Sequence, residues 1–124
     1  MNKKFLMLPL LFGFLLFNSP ALMAGTAIQE MVGILLHLHH HPSDSEKATL
    51  EKIVNDSSAS ANERTIASAL MNMNHHVSAD DRAKLRQIAD DGSAPMADRT
   101  VAGILATINH KPSESDMEEL EKLK

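Results

Sequence analysis

Apolar residues in this chain recur in short stripes set three and four residues apart, and the stripes themselves recur every 35 residues. In the middle of the chain Ile66, Ala67, Leu70 and Met73 mark one face of a helix. Met31, Val32, Leu35 and Leu38 repeat that face upstream, and Val101, Ala102, Leu105 and Ile108 repeat it downstream. A second stripe follows each time: Leu50 with Ile53, Leu85 with Ile88, Leu120 with Leu123. The pattern predicts two helices per copy, with copies at about 27–61, 62–96 and 97–124.

The polar positions punctuate the same register. Ser43, Ser78 and Ser113 stand before the second helices, each followed three residues later by Glu46, Asp81 or Asp116, which predicts an N-cap and a capping box. Ser60 with Glu63, and Thr26 with Gln29, offer the same device to first helices; Pro95 suits a first-turn position in the third copy. Pro42 and Pro112 mark the break between the helices of a pair, because the residue before a proline avoids the helical region. Gly92, and Asn55 with Asp56, mark second-helix ends.

A fixed period of this length is the mark of a repeat array. The expected fold is all-α: an α-solenoid-like array of three 35-residue helix hairpins, six helices in all, or a compact six-helix array if it curls tightly. The unit length is close to that of tetratricopeptide units, near 34 residues. The Trp, Gly, Tyr and Phe marks of those units are absent here, so the likeness is one of architecture only.

The N-terminus follows other rules. Lys3 and Lys4 precede an apolar run from Phe5 to Phe17, followed by small and polar residues through Ala24, the pattern of a secretory signal peptide over residues 1–24. The run is too short for a membrane span of about 20 residues. Cleavage after Ala24, with Ala21 as the alternative, is expected to leave one domain, 25–124, periplasmic or secreted and without a stable membrane anchor. No cysteine is present for lipidation or a disulfide. Loss of the signal removes two lysines and leaves ten basic against sixteen acidic residues, a net charge of −6. An acidic exported domain argues against nucleic acid as a partner. All four phenylalanines lie in the signal segment and the chain has no Trp or Tyr, so platforms for stacking sugars or bases are missing from the expected domain.

Chemistry concentrates in histidine. His40, His75 and His110 occupy one position in all three copies, and a residue needed in every copy is expected to serve the fold, here as a helix-end residue bonding free carbonyls. His37, His39 and His41 occur in the first copy only; with His40 they place four imidazoles in five positions, a composition suited to Zn²⁺, Cu²⁺ or Ni²⁺. His37 and His40 would share a helix side, and His75 or His76 could complete a site across the repeat boundary. The candidate ligands are therefore His37, His39, His40, His41, His75 and His76, with His110 expected to lie far from the cluster. No serine or threonine sits in a nucleophile frame, and the histidines have no orienting acid, so no enzyme is expected. Two functions follow: a protein- or peptide-binding scaffold using the concave face of stacked hairpins, or a divalent-metal-binding protein.

Overall fold

The computed structural model of the chain describes residues 27–124. The signal peptide, its cleavage site and Thr26 of the first capping box lie outside the described residues. Among the described residues the chain is all-helical, with six helices: α1 (residues 27–36), α2 (Asp44–Val54), α3 (Ala61–Asn72), α4 (Ala79–Asp90), α5 (Met96–Thr107) and α6 (Glu114–Lys122).

The helix starts form where the sequence places them. Ser43, Ser60, Ser78 and Ser113 each accept a hydrogen bond from the backbone N–H three residues on. The acidic side chain returns the bond at Ser43, Ser60 and Ser113, which completes three capping boxes. Pro95 is the N-cap of α5 and not a first-turn residue; it offers no side-chain acceptor.

The first helix of each pair ends sooner than its apolar stripe predicts. α3 stops at Asn72 and α5 at Thr107, so Met73 and Ile108 are extended C-caps beyond the helical face. They are buried all the same, as is Leu38, because the chain turns inward there and lays them on the core.

Burial divides the helices into two layers. α1, α3 and α5 form the inner layer: Met31, Leu35, Ile66, Leu70, Val101 and Leu105 have no exposed surface. α2, α4 and α6 lie outside and contribute chiefly Leu50, Ile53, Leu85, Ile88 and Leu120. α2 packs on α3, α4 packs on α5, and α3 meets α5 directly. A stripe of one or two buried residues per outer helix cannot cover a hairpin alone, so α2 and α4 each close over the next copy's inner helix and one core runs through the hairpins.

The array curls tightly and closes on itself. In the segments joining each pair, the backbone N–H of His40 donates to the carbonyl of His110 (2.7 Å), that of His110 to His75 (2.6 Å), and that of His75 to His40 (2.6 Å). Three hydrogen bonds thus form a cycle, one residue from each copy, and the first copy touches the third. At the other end of the inner helices, Ile28, Glu63 and Asp98 hold equivalent positions and all three are buried. There Ile28, Glu63, Asp98 and Leu123 help to line a cavity of about 390 Å³.

Candidate metal centre

The hydrogen-bonded hub puts each central histidine in an uncommon backbone conformation. His40, His75 and His110 have φ of 68°, 72° and 72°, and they are the non-glycine residues with positive φ among those described. At His40 the N–H of His41 donates back to the carbonyl of His39 (2.7 Å), a γ-turn of the rare positive-φ kind. Such a conformation costs a side-chain-bearing residue of order 1–3 kcal/mol, which glycine would not incur. Three copies nevertheless carry histidine here. Histidine is among the side-chain-bearing residues that enter this region most readily, with asparagine and aspartate.

The three rings converge. Their centroids lie 4.9 Å apart for His40 and His75, 5.1 Å for His40 and His110, and 4.7 Å for His75 and His110, with tilted or edge-on planes. One ring nitrogen from each lies within 4.8 Å of the others. A tetrahedral ion with metal–nitrogen bonds of about 2.0–2.1 Å needs its nitrogens about 3.3 Å apart. Each nitrogen would then move about 0.9 Å toward the common axis, a displacement within reach of small side-chain rotations. His40 and His110 are exposed, so the cluster opens to solvent.

Electrostatics favours the neutral, metal-ready form. Desolvation in the crowded cluster, followed by repulsion from His75, His110, His39 and His41 when charged, holds the pKa of His40 below the usual histidine value. At His110 the neighbouring Asn109 carbonyl oxygen Oδ1 accepts from Nδ1, 2.8 Å away. A carbonyl oxygen can only accept, so the proton sits on Nδ1 and the free lone pair on Nε2.

The structure divides the six sequence-derived candidates. His40 and His75 belong to the cluster. His37 does not: its Nδ1 bonds the carbonyl of Gly33 one turn back (3.0 Å), which makes it the helix-end residue that the repeat position of His40 had suggested. His37 and His40 do not share a helix side, because α1 ends at residue 36 and His40 stands in the turn beyond. His39 and His41 flank His40 across the turn, with His41 Nδ1 bonded to the carbonyl of Pro42 (2.9 Å). His76 Nδ1 faces the carbonyl of Val77 at 3.4 Å.

His110 is the member of the cluster that the sequence pattern placed elsewhere. Expected far from the cluster, it lies beside both other rings. The signal was available in the equal spacing of 40, 75 and 110: in a closed array of three copies, equivalent positions near the axis must meet. An open array would have kept them apart.

A second polar feature sits at the opposite end. Glu63 and Asp98 are 3% and 4% exposed, and burial, then the nearby Glu63 charge, raises the pKa of Asp98 against a smaller opposing hydrogen bond from Asn62. Glu63 is occupied by its capping bond to the Ser60 N–H at 2.7 Å.

Fold and site together define a closed array of helix hairpins with a tris-histidine cluster on its axis. Comparison with protein families, curated proteins and solved structures finds no match.

Proposed function

We propose that this is a metal-binding protein that holds one divalent first-row ion, Zn²⁺, Cu²⁺ or Ni²⁺, between His40, His75 and His110. The observation that carries the reading is the convergence of three imidazole nitrogens within 4.8 Å, one from each copy. Imidazole suits these ions, and a facial set of three leaves room for water or another ligand.

The N-terminal pattern supports export, so the ion would be met in the periplasm or outside the cell. The scaffold reading has less support. Its argument was an extended concave face, and closure of the array turns the inner helices against one another instead.

The test is calorimetric titration of metal-free, tag-free protein with each ion. Equimolar binding is expected for the unaltered chain and for His37→Gln. Loss of binding is expected for His110→Gly, a change that relieves backbone strain and so preserves the fold. Equal binding by all three proteins would sink the proposal.

A further inference from the structure

We infer that the ion held by His40, His75 and His110 keeps one coordination position open to solvent, and that its bound water, ionised near neutral pH, cleaves small activated carboxylic esters. This rests on the metal-binding reading above.

The first ground is the shape of the site. The three histidines leave from a closed cycle of backbone hydrogen bonds, and the buried residues Leu38, Met73 and Ile108, two positions before each histidine, lie on the core side. Solvent lies on the other side, where His40 and His110 are exposed. A tetrahedral ion bound from below by three facial nitrogens must point its fourth position outward. Structural zinc sites are closed by a fourth protein ligand, whereas three ligands plus water is the arrangement of hydrolytic and hydrating sites.

The second ground is charge. The converging group consists of three imidazoles, which coordinate a metal in their uncharged form, so the ligands would offset none of the divalent charge. Thiolates or carboxylates would weaken the pull on the bound water; neutral ligands preserve it and bring the pKa of zinc-bound water to about 7. The bond from Nδ1 of His110 to Asn109 fixes the ring's tautomer and orientation, as outer groups do in zinc sites.

The third ground is a place for substrate. A surface cleft of about 450 Å³ lies next in sequence to two of the three histidines, lined by His41, which follows His40, by Met73 and Asn74, which precede His75, and by Met71 and Lys47. Met71 is partly buried against the core and offers a polarizable apolar wall for an acyl or aryl group. Lys47 adds a cation to the lining of the cleft.

The step balances without further reagents. The hydroxide oxygen forms a bond to the carbonyl carbon while the carbonyl electron pair moves to its oxygen. Collapse of that intermediate re-forms the carbonyl and expels the alkoxide or aryloxide, which takes up the proton carried in by the hydroxide and leaves the acid as carboxylate. Water then displaces the carboxylate from the metal and gives its proton to solvent, so ester and water become carboxylate, alcohol or phenol, and a proton. The sequence contains no catalytic constellation of its own for this; the metal supplies the nucleophile.

The experiment uses the full chain loaded with zinc, with binding measured first by calorimetry. p-Nitrophenyl acetate is the substrate probe, and a cobalt-loaded sample provides a visible spectrum as a second readout. We expect hydrolysis about tenfold or more above equal zinc with free imidazole, rising with pH through a midpoint near 7. The cobalt spectrum should shift over the same pH range and on addition of thiocyanate. His110→Gly should lose both signals while melting like the unaltered protein; His37→Gln should keep both. Zinc bound, with hydrolysis no faster than the imidazole control and a cobalt spectrum indifferent to pH and thiocyanate, overturns the inference and leaves the metal-binding reading intact. No zinc bound overturns both.

Discussion

The backbone N–H of His40 donates to the carbonyl of His110 across 2.7 Å, joining residues seventy positions apart in the chain. This bond closes the array, and it is made at a residue whose φ of 68° favours glycine. Structure and site compete there. Replacing His40, His75 or His110 singly with glycine should leave metal-free stability unchanged or raised within about 1 kcal/mol, because relieved strain offsets the added freedom of the unfolded chain. Thermal unfolding of the three variants checks this. A loss of several kcal/mol would show that the rings themselves hold the hub together.

Leu70 lies in the inner helix of the middle copy with no exposed surface. Leu70→Ala should cost about 2–5 kcal/mol, since both neighbouring copies pack against that helix and neither can collapse freely into the space left. Denaturant titration reads the change directly. An unchanged midpoint would mean that the core is not shared between copies.

Asp98 should be a net cost to the fold near neutral pH. Burial and the Glu63 charge raise its pKa in the folded protein. The folded state therefore binds a proton more readily than the unfolded one, so this group's contribution is fully present below the unfolded value near 3.8 and is lost as pH rises through the folded value. Asp98→Asn keeps an acceptor for Asn62 and removes the charge. Stability at pH 7 should rise, seen as a higher melting point than that of the unaltered protein.

The opposite sign holds at the histidine cluster. Crowding lowers the pKa of His40 in the folded state below its unfolded value near 6.5. The unfolded chain then takes up the proton first, so stability of the metal-free protein is fully present above that value and is lost as pH falls toward the folded pKa. Melting points measured across this range should fall on the acid side, and His40→Gly should flatten that slope.

Added metal should steepen the dependence. An ion bound only by the folded chain raises the melting point by mass action, and protons compete with it for the imidazoles. Saturating Zn²⁺ should therefore raise the melting point near pH 7.5 and have little effect near pH 5.5. A chelator should return the protein to its metal-free curve.

The helices and their starts are legible in the residues alone. Three-and-four spacing around Leu35, Leu70 and Leu105 and the serine caps at 43, 60, 78 and 113 are local, and local geometry does not depend on how the copies are arranged. Boundaries at the other end were less legible. Leu38, Met73 and Ile108 continue the apolar count of a helix, yet they are core residues of an extended segment, since burial sets a residue's polarity whatever backbone carries it.

Only the tertiary structure decided the site. The dense run His37, His39, His40 and His41 drew attention because its members are close in sequence, but a turn at His40 spreads them, and His37 and His41 are tied to backbone carbonyls. His40, His75 and His110 are each 35 residues apart and meet because the array closes. Closure depends on the angle at which each hairpin packs on the next, summed over three copies. That angle is a property of the whole packed core, and no stretch of sequence short enough to read by eye contains it.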